Sequence, residues 1–334
     1  MKRFITLFFV FIFYYLQGNC TAQVIKEKNN SRKDISAFAK VMLKEFTPDD
    51  GLPQTSIMSI AVDKTGYLWI GTQDGAAYYN GRSWITINMP KKTGSNYVQT
   101  IFIAEDGAIW FSANRGQIHR YFAGQWESFD IPDGLASSIV NSIKETKNRK
   151  GEKVYWFGTS SGLSKYAGGK WTMFNTNNSG LVSNIIYDLC VSTDGSLLIA
   201  TNKGVSHYID GTLKNFQLPK ELQRNGINKI IQGKDGVMWF AGAGTIGRYA
   251  KKKWTIFHTN STKKSSRIVA MYESSNGDLW FGSTNGIMRI THIAENESTD
   301  ALENFFGGTD FEKQMGDIFC IQVIPLKVKK KYLG

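Results

Sequence analysis

The chain has 334 residues, a formal net charge of +12 and 13% aromatic content, with 33 glycines but only 6 prolines. Such a composition suits many short strands joined by tight turns. No stretch sustains a helical period, which excludes a helical bundle and leaves an all-β chain.

Lys2 and Arg3 precede an apolar run over residues 4–16, followed by Gln17-Gly18-Asn19-Cys20-Thr21-Ala22. A charged start, about a dozen apolar residues and a small-residue exit describe a secretory signal peptide over residues 1–22, cut after Ala22; the run is too short to span a bilayer. The alternative is a lipoprotein signal with Cys20 lipidated, although Asn19 stands where a small residue is expected. The mature chain is thus placed in the periplasm or outside the cell, with no transmembrane segment. Removing residues 1–22 lowers the net charge from +12 to +10. In an exported protein this charge does not point to nucleic acid. It favours an anionic partner such as an acidic oligosaccharide, unless the lysine-rich loops serve only solubility. Residues 23–40, with Lys26, Lys28, Arg32 and Lys33, read as a flexible polar leader.

From residue 41 the chain repeats. Gly66-Tyr67-Leu68-Trp69-Ile70-Gly71-Thr72 returns in altered form around Trp110, Trp156, Leu198, Trp239 and Trp280, at steps of 41, 46, 42, 41 and 41 residues. A period near 40 of strand-like sequence predicts a β-propeller over residues 41–334. Each repeat reads as four strands, A to D. In the first, strand A covers 56–63, strand B 67–72, strand C 76–79 and strand D 83–87, with Asn80-Gly81 as the last hairpin turn. The third repeat carries the insertion Lys147-Asn148-Arg149-Lys150-Gly151-Glu152-Lys153 in its A–B hairpin, which explains the longer step. The strand D pattern occurs at Trp84…Ile87, Trp126…Phe129, Trp171…Phe174, Leu213…Phe216, Trp254…Phe257 and Leu302…Phe305. A seventh copy, Leu43…Phe46, precedes the first strand A. An orphan D strand at the N-terminus, with strand A and B spacing at 316–321 and 332–334, predicts a seventh, incomplete blade closed by an N-terminal strand. The alternative is six blades with residues 292–334 as a C-terminal appendage. Cys190 and Cys320 fall on inner strands of different blades, as buried free thiols rather than a disulfide.

The combination Gly51-Leu52-Pro53…Ile57…Ile60…Asp63…Gly66-Tyr67-Leu68-Trp69-Ile70-Gly71-Thr72…Asp74-Gly75…Tyr79…Gly81 resembles the two-component regulator propeller repeat, over about residues 43–334. It departs from that pattern at Ala76-Ala77 and at Leu198. The resemblance implies a periplasmic sensor propeller of the hybrid two-component systems of Bacteroidetes-like bacteria, many of which sense polysaccharide fragments. The usual full-length member has two propellers, an immunoglobulin-like domain, a membrane helix and a kinase, whereas this chain carries one propeller and no kinase motif.

No catalytic set stands out. His119, His207, His258 and His292 lie on different blades at no metal-ligand spacing, so neither a metal nor a cofactor is expected. The recurrent tryptophans read as packing between blades. Propeller geometry places a ligand site at the mouth of the central channel, on the face made by the D–A and B–C loops. Strand A lines that channel, with Gln99, Asn141, Tyr187 and Asn228 at one register and Ser59, Thr100, Ser142, Asp188 and Lys229 at the next. Tyr97 is expected to stack on a sugar ring at the mouth, and Asp74, Arg115, Lys203 and Asn285 to contribute from the B–C loops. The reading is a non-catalytic binding or sensor-type propeller for an oligosaccharide or a cell-envelope protein. The alternatives are a propeller lyase resembling the streptogramin lyases, with two histidines converging at one face, and a truncated remnant of a sensor kinase.

Overall fold

The computed structural model describes residues 11–13, 46, 48–90, 96–113, 117–224, 226–259, 267–274, 277–283, 286–290, 302–306 and 323–325. A short strand β1 (Phe11–Phe13) pairs in parallel with β26 (Val323–Pro325). Between them run six antiparallel four-stranded sheets, each with its strands in sequence order. Blade 1 comprises β2 (Ile57–Val62), β3 (Leu68–Thr72), β4 (Gly75–Tyr79) and β5 (Trp84–Ile87). Blade 2 comprises β6 (Val98–Ile103), β7 (Ile109–Ala113), β8 (Ile118–Phe122) and β9 (Gln125–Phe129). Blade 3 holds β10 (Val140–Lys147), β11 (Lys153–Thr159), β12 (Gly162–Ala167) and β13 (Lys170–Phe174). Blade 4 holds β14 (Ile186–Val191), β15 (Leu197–Thr201), β16 (Gly204–Ile209) and β17 (Thr212–Phe216). A four-residue helix α1 (Lys220–Gln223) leads into blade 5: β18 (Lys229–Gln232), β19 (Met238–Ala241), β20 (Thr245–Ala250) and β21 (Lys253–His258). Blade 6 is β22 (Ile268–Glu273), β23 (Leu279–Ser283), β24 (Gly286–Ile290) and β25 (Leu302–Phe306).

Among the described residues the architecture is therefore a six-bladed propeller, the blade count of the alternative reading, although β25, within residues 292–334, is strand D of blade 6; the strand positions proposed for a seventh blade at 43, 316–321 and 332–334 lie outside the described residues. The phenylalanine of the extra D pattern, Phe46, is described and buried. Its ring sits 5.1 Å from Tyr79 and 5.3 Å, edge-on, from Trp84. The same trio recurs where Phe129 of blade 2 meets Tyr166 and Trp171 of blade 3, at 5.3 and 5.6 Å. Phe46 thus packs on blade 1 as a strand D phenylalanine packs on the blade that follows it.

Alternation along strand B builds the core, because successive side chains point to opposite faces of a blade. In β7, Phe111 enters a cluster with Trp69 of blade 1, while Trp110 enters one with Tyr155 and Phe157 of blade 3. Both are fully buried. Equivalent clusters fill the gaps between blades 3 and 4, 4 and 5, and 5 and 6. The repeated Trp-Ile-Gly-Thr motif has a separate reason at each position. A Cβ on Gly71 would lie 2.7 Å from Val98 Cγ1 of the next blade, so only glycine permits this approach. Thr72 then donates its hydroxyl to the Gly75 carbonyl (2.9 Å) and accepts the Asp74 N–H (3.0 Å), closing the B–C turn. Thr159 and Thr201 repeat that bond in blades 3 and 4.

Cross-strand pairing explains what the strand B tryptophans meet. Trp110, Trp156, Trp239 and Trp280 pair with Arg120, Lys165, Arg248 and Arg289 of strand C, whose charged heads lie 5.5 to 6.0 Å from the ring centroids. In blade 4, where Leu198 replaces tryptophan, the paired residue is His207. In blade 4 the aromatic ring and the cation are lost together, whereas in blade 1 Trp69 meets the Tyr78 ring at 4.8 Å, so the indole is covered by either a cation or a second ring.

Candidate ligand site at the channel mouth

Strand A of five blades carries a β-bulge at its second residue. In blade 1 the pairing steps from Ile57↔Thr72 to Ser59↔Gly71, leaving Met58 without an opposite residue. The same slip leaves out Gln99 in β6, Asn141 in β10, Tyr187 in β14 and Val269 in β22. In blade 5 the matching residue, Asn228, stands just before β18 and donates its N–H to Ala241 O (2.7 Å). A bulge bends its strand and re-aims the extra side chain. Here the six residues point into one cavity of about 160 Å³, which Lys229, Arg267 and Ile268 complete. Antiparallel pairing sets the start of strand A beside the end of strand B, so the cavity opens on the face of the D–A and B–C loops.

Four residues expected at this site from sequence, Gln99, Asn141, Tyr187 and Asn228, are brought together there. Asn141 donates from Nδ2 to Ile186 O (2.7 Å), and Gln99 Nε2 stands 3.5 Å from Asn141 Oδ1. A primary amide offers two N–H donors and a carbonyl with two lone pairs, so these contacts leave hydrogen-bonding capacity facing the cavity. The Arg267 guanidinium lies 5.2 Å from the Tyr187 ring centroid, a cation–π contact at the rim.

The next register does different work. Ser59 accepts the Ile101 N–H (2.9 Å), tying blade 1 to blade 2. Thr100 donates to Val140 O (3.2 Å), tying blade 2 to blade 3. Ser142 accepts the Leu189 N–H (3.2 Å) and donates to Asp188 Oδ1 (2.9 Å), joining blades 3 and 4. Asp188 in turn accepts the Ile230 N–H (3.2 Å), with Lys229 Nζ 3.8 Å from its Oδ1. Ser59, Thr100, Ser142 and Asp188 thus hold blade to blade, while Lys229 also lines the cavity.

The remaining expectations fare differently. Tyr97 precedes β6, half-buried but outside the cavity lining; burial pushes its hydroxyl pKa up. Asp74 and Lys203 are exposed on B–C turns, and Asp74 accepts a bond from Asn96 Nδ2 (3.0 Å) instead of facing the cavity. Arg115 and Asn285 lie outside the described residues. Sequence reasoning missed Met58, Val269, Ile268 and Arg267. The repeat period itself marks Met58 and Val269; a search restricted to polar groups passed over them.

The described histidines do not gather. His119 is buried with Nδ1 2.9 Å from Ser128 Oγ, and burial lowers its pKa. His207 Nε2 is 2.8 Å from Ser196 Oγ, and His258 is exposed at the end of β21. None of the three lines the channel-mouth cavity, and His292 lies outside the described residues. Among the described residues no group of three or more His, Cys, Asp or Glu could hold a metal ion. Cys190 is a buried free thiol whose pKa burial pushes up to about 11; Cys320 lies outside the described residues. No described helix is long and apolar enough to cross a membrane.

Comparison with known proteins agrees with this architecture. The Two component regulator propeller family model matches residues 51–74 and 262–285. A histidine kinase P4 of Formosa agariphila is 44% identical over 55 residues, which is 16% of this chain and 4% of that protein. The extracellular domain of the hybrid two component system BT3049 from B. thetaiotaomicron superposes with a TM-score of 0.65 at 20% identity, covering 83% of this chain and 38% of that one. A virginiamycin B lyase from Staphylococcus aureus superposes with a TM-score of 0.61 at 20% identity, covering 78% of this chain and 87% of that one. At such identities the superpositions establish the fold. The chain spans only a small part of the sensor proteins it matches. It is a β-propeller with two segments that match the two component regulator propeller repeat, of the fold found in the extracellular domains of hybrid two-component sensors.

Proposed function

We propose that this chain is a non-catalytic, sensor-type binding propeller that works outside the cytoplasm and takes an oligosaccharide at the channel mouth. One observation carries the reading: six bulged or bulge-equivalent residues, one per blade, converge on a single cavity and supply three amides and a tyrosine. Amides pair well with the vicinal hydroxyls of a sugar, and a partly exposed aromatic offers an apolar surface to its ring. The net charge, together with Arg267 at the rim, favours an anionic oligosaccharide over a neutral one. The experiment is a thermal-shift screen of residues 23–334 against neutral and acidic oligosaccharides. Ligand that binds only the folded state raises the melting temperature, and Gln99→Ala should remove that rise. A cell-envelope protein bound on the same face would give no sugar response, yet would be blocked by the same substitution.

A propeller lyase is the second reading, supported by the superposition on the virginiamycin B lyase. It needs a proton-transfer group at the channel mouth. The three described histidines are placed elsewhere, two of them hydrogen-bonded to serine hydroxyls. Ring opening of a streptogramin B antibiotic by the purified chain, followed by mass, would establish this reading instead.

A further inference from the structure

The opposite face of the ring carries a larger cavity, of about 480 Å³, wedged between blades 3 and 4. It owes its shape to the one hairpin that breaks the repeat. The insertion between β10 and β11 brings Arg149 to 2.8 Å from Asp210 on the C–D turn of blade 4, with both side chains exposed. The cavity wall is aromatic: Trp156 and Tyr208 stand 4.7 Å apart at 62°. Lys165, half-buried, holds its ammonium 5.5 Å from the Trp156 ring centroid.

Charge accounting sets Lys165 and Arg248 apart from the other two strand C cations, since neither has a carboxylate within 4 Å among the described residues, and of the two only Lys165 lines this cleft. At the same cross-strand position, Arg120 has Glu127 at 2.8 Å and Asp106 at 3.8 Å, and Arg289 has Asp278 at 3.8 Å. Lys165 has no carboxylate within 4 Å among the described residues. The A–B hairpins of blades 2 and 6 supply those aspartates, whereas that of blade 3 is basic, with Lys147, Arg149, Lys150 and Lys153. The two carboxylates lining the cleft are already engaged. Asp194 accepts the Ser196 N–H and hydroxyl (2.9 and 2.6 Å), and Asp210 holds Arg149. Inward, a neighbouring cavity of about 430 Å³ shares Thr146, Lys147 and Gly195, but Lys147, the cation in its lining, is already paired with Glu105 at 2.8 Å. The favourable place for negative charge is therefore the outer end, beside Lys165.

We propose that this cleft is a second ligand site, for a small ring compound bearing one anionic group. The anion, whether carboxylate, sulfate or phosphate, meets Lys165, and the ring lies in the pocket walled by Tyr208 and Trp156. The volume matches that of small-molecule pockets. Lys165 is already held against the indole, so little side-chain freedom is lost on binding. The Arg149–Asp210 pair spans the outer end and, being solvent-exposed, opens readily for entry. This site stands apart from the channel mouth and does not rest on the function proposed there.

Calorimetric titration of the intact chain with D-glucuronate, glucose 6-phosphate, glucose 6-sulfate and glucose tests the proposal. At least one of the three anions should bind, with glucose about tenfold weaker or more, because a charge-assisted contact is lost. Lys165→Met keeps the methylene packing on Trp156 and should weaken the anion about tenfold, while Lys165→Arg retains it. Asp210→Asn frees Arg149 and should tighten binding, an arm that still decides the matter if Lys165→Met fails to fold. Gln99→Ala should leave this binding unchanged, separating it from the channel mouth. Equal binding of glucose, full affinity in a folded Lys165→Met chain, or no binding of any of the three anions at millimolar concentration would overturn the proposal.

Discussion

Two rings of strand A residues lie one position apart and behave differently. The bulged ring, Gln99, Asn141 and Tyr187 among its members, faces the channel-mouth cavity with polar capacity to spare. The adjacent ring, Ser59, Thr100, Ser142 and Asp188, spends its polar atoms on the backbone of the neighbouring blade. Both rings carry polar residues, so residue type does not separate them. The bulge does. It pushes one side chain out of the ladder and leaves the next at the seam between blades, where an unmatched N–H would otherwise be buried.

The substitution with the largest expected effect breaks the second ring at its most connected point. Asp188→Ala removes the acceptor for Ser142 and Ile230 and leaves Lys229 without its carboxylate. A loss of about 3 kcal/mol is expected in urea unfolding, since hydrogen bonds to a charged group are strong and their partners are left buried. Ser142→Ala should cost about 1 to 2 kcal/mol by the same measurement, because it strands the Leu189 N–H but leaves the Asp188–Ile230 link in place.

A smaller effect is expected from pH, and it belongs to neither ring. Burial lowers the His119 pKa from its ordinary 6.5. Below that value the unfolded chain takes up a proton that the folded chain resists, so this contribution to stability is full above about pH 6.5 and declines as the pH falls. His119→Gln should flatten that part of the stability–pH curve; an unchanged slope would assign it to other groups. The smallest expected effect on stability is that of Gln99→Ala, within about 0.5 kcal/mol, because its hydrogen bond to Asn141 is long and the side chain is part-exposed.

The fold was legible because the repeat declares it. Trp69, Trp110, Trp156, Trp239 and Trp280 recur at near-constant steps, and the glycine and threonine that follow Trp69-Ile70 have fixed steric and turn-closing tasks. Blade count was less legible. Phe46 does pack as a strand D phenylalanine on blade 1, as its pattern suggested, yet the described four-stranded sheets number six. At the site, period alone brought Gln99, Asn141, Tyr187 and Asn228 to one register. The bulge that decides which of two adjacent residues meets the cavity has no signature in residue type, so the sequence does not separate Tyr187, which lines it, from Asp188, which bonds to the next blade. Arg267 was hidden for another reason: it precedes strand A in a connection of irregular length, where the repeat period gives no guidance.

The most direct test of this division of labour is paired thermal unfolding of the intact chain, Gln99→Ala and Ser142→Ala, each with and without the oligosaccharide panel. The account expects Gln99→Ala to melt with the intact chain in buffer and to lose the sugar-induced rise. It expects Ser142→Ala to melt lower in buffer and to keep that rise, since the ligand contacts lie in the other ring. A Gln99→Ala chain that retains the full rise, or a Ser142→Ala chain that loses only the rise, would contradict it.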